Sequence, residues 1–237
     1  MSFLVSTKYR SEAPEIMDDF SLEGKLLRDT FDKLELINRL LGGNRVTIDG
    51  VAKILKNHPK DKPITIIDLG CGHGDILRDV AKFGKKQGYQ FQLIGVDANT
   101  DAIAYANELS KDYEELQFLN IDIFSKEFEK IEFDVVLCTL FLHHFKPSEL
   151  LSLLKTNFNK ARIGIVVNDL QRSRWAYYLF KLVTVFTKNH MVKEDGLTSI
   201  LKAFKRKDLI IITEQLKAKA SIRWKWAFRY QWILTKQ

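Results

Sequence analysis

The sequence predicts an α/β fold: a seven-stranded, mostly parallel sheet with helices on both faces, an antiparallel last strand and an N-terminal helical extension. Three observations predict it. After Pro63, short β-branched runs alternate with amphipathic helical stretches, the pattern of strand–helix crossovers in a parallel sheet. A glycine-rich turn, Gly70-Cys71-Gly72-His73-Gly74, joins the first of these strands to the first following helix. Two aromatic runs near the carboxyl end alternate with charged residues, as paired strands do.

Taken in order, Met1 to Phe20 reads as an irregular arm. Ser21 is placed to cap a helix to about Leu41, with Leu22, Leu26, Leu27, Phe31, Leu34, Ile37 and Leu41 on one face. Gly42 and Gly43 stop it. A second helix is expected over Ile48 to Asn57, and Lys60 to Pro63 is the joint. This divides the chain into an arm and helical cap at 1–60 and a main domain at 61–237. Ile64 to Leu69 is a continuous β-branched run, suited to a strand buried on both faces. A helix from Asp75 to Lys86 follows, then a strand over Phe91 to Val96 and a helix through Ala102 to Leu109. Leu116 to Ile121 and Phe133 to Cys138 read as strands, Pro147 to Asn159 as a helix, and Arg162 to Val167 as another buried strand. Trp175 to Phe186 is an apolar helix, suited either to the core or to the wall of an apolar acceptor pocket, and Leu197 to Phe204 another. Leu209 to Thr213 is divided between strand propensity (three isoleucines) and a helix capped by Asp208. Ile222, Trp224 and Trp226, then Phe228, Tyr230, Trp232 and Leu234, give an antiparallel pair with its aromatic face inward.

Composition narrows the class. The 237 residues, 46% hydrophobic, bury enough surface to fold without disulfides or a structural metal. Two cysteines, Cys71 and Cys138, fit a reducing cytosol rather than a secreted framework, and neither sits in a zinc-ligand spacing. No apolar stretch reaches the ~20 residues of a membrane span, and Met1 to Arg10 lacks the apolar run of a signal peptide. A cytoplasmic location is the expectation. The net charge of +7 is uneven: residues 201–237 carry ten Lys/Arg against two Asp/Glu. That region suits either phosphate contact or the solvated, aggregation-resistant edge of a sheet.

The segment Asp68-Leu69-Gly70-Cys71-Gly72-His73-Gly74-Asp75 sits where open α/β sheets bind ligands. Glycine there permits positive φ and removes Cβ atoms that would block a ligand. Its spacing is G-x-G-x-G, not the G-x-G-x-x-G of dinucleotide folds. Asp97 ends the second strand, where a carboxylate accepts hydrogen bonds from ribose hydroxyls. Asp122 follows the third strand in Asn120-Ile121-Asp122-Ile123, placed to read an adenine amino group while Ile123 packs on the ring. Each acid alone is equally a turn or cap residue; three acids after three successive strands form a pattern.

On these residues the chain resembles the Rossmann-like (class I) S-adenosylmethionine-dependent methyltransferases, small-molecule branch, from about Ile64 onward. The resemblance implies S-adenosylmethionine as cofactor and S-adenosylhomocysteine as product, and turns the Leu209 segment toward helix. It further implies that Asp68 and the backbone of Gly70, Cys71 and Gly72 hold the methionine part, that Asp97 with Ala98 clamps the ribose, and that Asp122 with Ile123 frames the adenine. Thr139, after the fourth strand, joins this set.

The acceptor is less constrained. The loop Leu137-Cys138-Thr139-Leu140-Phe141-Leu142-His143-His144-Phe145 lacks the Asn/Asp-Pro-Pro-aromatic motif of base-amine methyltransferases, and Cys138 is not placed as a cytosine nucleophile. No DNA partner is expected, and RNA only as a third choice resting on the basic carboxyl region. The Leu-His-His-Phe run resembles small-molecule methyltransferases, including quinone-pathway enzymes. His144, or His143, is a candidate base for a phenol, with Asp169 in Asn168-Asp169-Leu170 to orient a hydroxyl or a histidine. Adjacent histidines diverge, so no metal site is expected. Arg172 and Arg174 are candidates to hold a carboxylate or phenolate, and Tyr178 stands with Arg174 for the acceptor pocket. Asn38-Arg39-Leu40-Leu41-Gly42-Gly43-Asn44-Arg45 and the Ala176-to-Leu182 helix resemble bacterial methyltransferases associated with type III polyketide synthases and phenolic lipids. That implies a hydrophobic acceptor with an aromatic hydroxyl or carboxyl, peripheral contact with membrane or lipid, and Arg39 or Arg45 near the site. O-methylation is the expected reaction. Its rivals are C-methylation of a quinone precursor, RNA methylation and a non-catalytic cofactor-binding subunit.

Overall fold

The computed structural model describes residues 5–236; positions 1–4 of the predicted arm lie outside them. Seven strands form one sheet: β1 (Ile64–Leu69), β2 (Phe91–Asp97), β3 (Leu116–Asn120), β4 (Val135–Thr139), β5 (Gly164–Leu170), β6 (Lys219–Lys225) and β7 (Arg229–Thr235). Their order is β3-β2-β1-β4-β5-β7-β6. β1 to β5 pair in parallel, and β7 runs antiparallel between β5 and β6. Nine helices among the described residues surround it: α1 (Lys25–Leu40), α2 (Gly43–Ile54), α3 (Asp75–Gln87), α4 (Thr100–Leu109), α5 (Lys126–Glu129), α6 (Pro147–Lys160), α7 (Arg174–Val183), α8 (His190–Lys202) and α9 (Arg206–Leu216).

The two faces of the sheet divide the core by the two-residue period of a strand. Ile64, Ile66, Val135, Leu137 and Val166 enter one apolar cluster; Ile67, Leu69, Val136, Cys138, Ile165 and Val167 enter the other. Each fully buried aliphatic side chain contributes roughly 1.5–3 kcal/mol, so these continuous β-branched runs stabilise both layers at once. The parallel registers Asp68↔Gly95 and Asp97↔Asn120 bring the carboxyl ends of the strands to one rim.

Several expectations change. α1 starts at Lys25 behind Gly24, not behind Ser21, whose hydroxyl and backbone N–H donate to Asp19 instead. α2 starts at Gly43, five residues earlier than its hydrophobic pattern suggests; Gly42, at φ +71°, makes the turn. The Leu209 segment is helical, as α9, in agreement with what the resemblance implied. α8 extends back to His190 and contains Gly196, where a Cβ would lie 2.3 Å from the Phe180 ring. α7 is not core: Trp175 and Leu182 are 78% and 66% exposed, and only Ala176 is buried. The inward aromatic face belongs to β7 alone, where Tyr230 and Trp232 are buried, because β6 is the sheet edge and leaves Trp224 half-exposed. Both cysteines are free and buried. No helix among the described residues is long and apolar enough to cross a membrane.

Candidate active site

A cavity of about 940 Å³ opens at the carboxyl rim of the sheet. Its walls are the turn after β1, the ends of β2 and β3, the loop after β4, α1, α7, α8 and the arm around Glu15–Phe20. That volume lies at the upper end of small-ligand sites, room for a nucleoside and a second molecule.

Asp68, Gly70, Cys71, Gly72, Asp97, Ala98, Asp122, Ile123 and Thr139 all line it. Gly70, Gly72 and Gly74 have φ of +67°, +52° and +78°, conformations that a side chain strains. The bend is packed as well as bent: a Cβ on Gly70 would lie 2.1 Å from the Phe141 ring, and one on Gly72 3.1 Å from Phe31. Asp97 Oδ2 accepts the Gly72 N–H and Oδ1 the Asn99 N–H, both at 2.9 Å, which ties the turn to the end of β2. Asp68 is 2% exposed and its Oδ1 has no partner. Burial, reinforced by Asp75 and Asp97, pushes the Asp68 carboxyl well above its ordinary range, an environment in which an adjacent cation would favour the carboxylate. Asp122 stands exposed at the rim, accepting the Phe124 N–H. The Thr139 hydroxyl bonds that of Thr47 at 2.9 Å.

The two histidines have different surroundings. His143 is buried; its Nδ1 is 2.7 Å from Asp169 Oδ1 and its backbone N–H donates to Asp169 Oδ2. Burial lowers its pKa, but the Asp169 carboxylate and then Glu15 outweigh burial and hold it above the ordinary value. Asp169 itself does not line the cavity, so it positions His143. His144 lines the cavity, and its Nδ1 is 2.7 Å from Asp18 Oδ1 on the arm. Burial would raise the Asp18 carboxyl, yet the hydrogen bonds with His144 and the Glu15 backbone N–H hold it far below the carboxylate range. Among the described residues the hydrogen bond of the His144 ring is made at Nδ1, to Asp18. Glu15, His143 and His144 gather their ligand atoms within 4.8 Å. The Lys202 ammonium, 3.2 Å from both Glu15 and Asp18, already supplies a cation there.

Five acceptor-side candidates lie off the cavity. Arg39 pairs with Glu35 and Asp79 on the surface, and Arg45 is exposed. Arg174 donates to the Val5 carbonyl, while the Tyr178 hydroxyl accepts the Val5 N–H, so both fasten the arm. Arg172 is buried on the Ala203 carbonyl and Asp208. Leu179, Phe180 and Val183 of α7 take the wall position instead. Sequence reasoning missed Asp18, Asn38 and Arg229, all of which line the cavity. The Asp18 signal was only a carboxylate in an unpatterned arm. Arg229 was masked by its alternation with Tyr230, which reads as a solvent-facing position; α2 covers that face, so all of β7 up to Leu234 is buried.

Residues 60–223 match the family described as Methyltransferase domain. The chain belongs to this family. Its reaction is methyl transfer from S-adenosylmethionine. The methyltransferase is 25% identical over 180 residues to the carboxy-S-adenosyl-L-methionine synthase of Helicobacter pylori (strain HPAG1), across 70% of this chain and 72% of that one. The plantazolicin methyltransferase BpumL, solved in complex with SAH, shares the fold at TM-score 0.65 and 18% identity, covering 90% of this chain and 94% of its own. The CurJ carbon methyltransferase superposes at TM-score 0.58 and 17% identity, over 80% of this chain and 53% of that one. Residues of the methyltransferase fit a sulfonium amino-acid nucleoside: an unpartnered buried carboxyl at Asp68, a left-handed glycine turn, and Asp97 at the second strand's end.

Proposed function

We propose that the methyltransferase carries a methyl group to a hydroxyl oxygen of a hydrophobic phenolic or polyketide-like small molecule in the cytosol. The carrying observation is the Asp18–His144 pair: a ring held at Nδ1, in a cavity that also contains Asp68 and the glycine turn. In this reading Asp68 receives the cofactor's ammonium, Gly70, Cys71 and Gly72 pass along its methionine, Asp97 and Ala98 hold the ribose, and Asp122, Ile123 and Thr139 frame the rest. Bound there, the cofactor supplies a methyl carbon activated by positive sulfur. His144 Nε2 takes the acceptor's hydroxyl proton as the oxygen attacks, and Asp18 fixes the ring and offsets the charge that forms. The packed walls hold the attacking oxygen in line, where orientation supplies much of the acceleration. His143, engaged by Asp169, shapes the loop that presents His144.

The apolar wall of Leu34, Leu179, Phe180 and Val183 supports a hydrophobic acceptor. Trp175, Leu182 and Phe186, exposed on and just beyond the same helix, support delivery from a lipid-like phase. The basic carboxyl region lends little to RNA: Lys202 and Arg229 are internal, while Lys219 and Arg223 lie on the edge strand. A second reading, C-methylation of a quinone precursor, would use the same base on a ring proton and draws on the fold shared with a carbon methyltransferase. Proton NMR of the product from phenolic and quinone-precursor acceptors separates them: a methoxy signal supports O-methylation, and an aryl-methyl signal replaces it with the second reading.

A further inference from the structure

Arg229 is a charged side chain without a counterion. It is 4% exposed at the start of β7, it lines the cavity, and its Nε and Nη1 have no hydrogen-bond partner. No carboxylate among the described residues lies within ion-pair distance of it. The nearest attraction is from Asp169, which is spent on His143. Burial pushes the guanidinium down to about 10, so it remains a cation at neutral pH. The site is built to admit this group: a Cβ on Gly43 would lie 2.9 Å from Arg229 Cζ and 1.9 Å from Asn38 Oδ1. Asn38 Oδ1 is itself buried without a partner. The hairpin residue just before Arg229, Phe228, has φ +55°, and Leu140, whose N–H donates to the Asn168 carbonyl on β5, has φ +52°; such backbone strain gathers where a site demands it.

A buried, unpaired guanidinium is costly unless a ligand completes it, and its planar donor fork matches a carboxylate. We propose that Arg229 binds a carboxylate carried by the methyl acceptor, so that the substrate class is a hydrophobic aromatic acid. Position favours the acceptor over the cofactor as the source. Asp68 lies near the end of β1, Asp97 ends β2 and Asp122 follows β3, whereas Arg229 lies three strands beyond β1, beside Leu170 at the end of β5. At ~4.8 Å per strand the Arg229 backbone is about 14 Å from β1, and its guanidinium lies beside Gly43 and Asn38. His144, on the loop after β4, stands between the two groups. The inference rests on the cavity holding the acceptor, but not on which acceptor atom is methylated.

The test is calorimetry on the full chain loaded with S-adenosylhomocysteine, with 4-hexylbenzoate and 4-hexylbenzamide as matched probes. The expected result is at least tenfold tighter binding of the acid, a preference lost in Arg229→Gln and partly kept in Arg229→Lys, with S-adenosylhomocysteine affinity within twofold throughout. Equal affinity for acid and amide in the unmodified protein overturns the proposal, and that measurement needs no variant to fold. A parallel fall in S-adenosylhomocysteine affinity in Arg229→Gln, with the acid preference intact, also overturns it and assigns the cofactor's own carboxylate to Arg229. Failure of O-methylation shows separately, in the methoxy or aryl-methyl signal of the product.

Discussion

His144 Nδ1 lies 2.7 Å from Asp18 Oδ1, although 126 residues separate them in the chain. Replacing His144 by Ala removes the proton acceptor, and kcat should fall roughly 10²–10³-fold while S-adenosylhomocysteine affinity stays within a few-fold. Asp18→Asn should lower kcat more than it raises KM, and Asp18→Glu should recover part of the loss. Unchanged kcat in His144→Ala would make the ring structural.

Asp97 ties the glycine turn to the end of β2, where the proposed reading puts the cofactor's ribose. Asp97→Ala should weaken S-adenosylhomocysteine binding by roughly 100-fold, the scale of losing two hydrogen bonds to a charged group. The far-ultraviolet circular dichroism should persist. Calorimetry showing full affinity would reject the ribose assignment.

The carboxyls of the site give the stability curve two opposed limbs. The Asp68 pKa is raised by burial and by Asp75 and Asp97, so ligand-free protein gains stability as pH falls through that raised value toward its ordinary 3.8. Glu35 is held down to about 2 by the His73 hydrogen bond, against burial, with help from Arg39. Its contribution is complete above its ordinary 4.5 and is lost as pH falls through about 2. Melting temperatures should therefore rise from neutral into mildly acid solution and collapse below. Asp68→Asn should raise the neutral-pH melting point of the ligand-free protein while weakening cofactor binding, and Glu35→Gln should flatten the acid limb.

Gly70 carries the Phe141 ring on its bare α-carbon. Gly70→Ala adds a left-handed penalty of about 1–2 kcal/mol and a 2.1 Å collision, and should lower both stability and cofactor affinity. In the double variant Gly70→Ala/Phe141→Ala the collision is gone, so chemical denaturation should show a loss smaller than the sum of the single losses.

The parallel sheet was legible because strands buried on both faces read as short, mostly apolar β-branched runs, as Ile64–Leu69 and Arg162–Val167 do. Helix starts were less so: Gly43 and Gly196 weaken a helical pattern, yet each is there because a neighbouring side chain, Asn38 or Phe180, occupies the Cβ position. The cofactor half of the cavity follows from local features, a turn and strand-end acids, that a sequence displays. The acceptor half does not. Arg229 and Gln231 alternate with Tyr230 and Trp232 as solvent-facing residues would, and only the packing of α2 on β7 turns that face inward, where Gln231 donates to the Val46 carbonyl at 2.7 Å. Asp18 acts through a contact that no spacing encodes.

The arm that brings Asp18 also supplies part of the cavity wall through Glu15, Met17 and Phe20. One stretch of chain thus has two attachments: the residues that enclose the cavity also hold the imidazole by its Nδ1, so a variant that loosens the arm should cost the wall and the proposed base together.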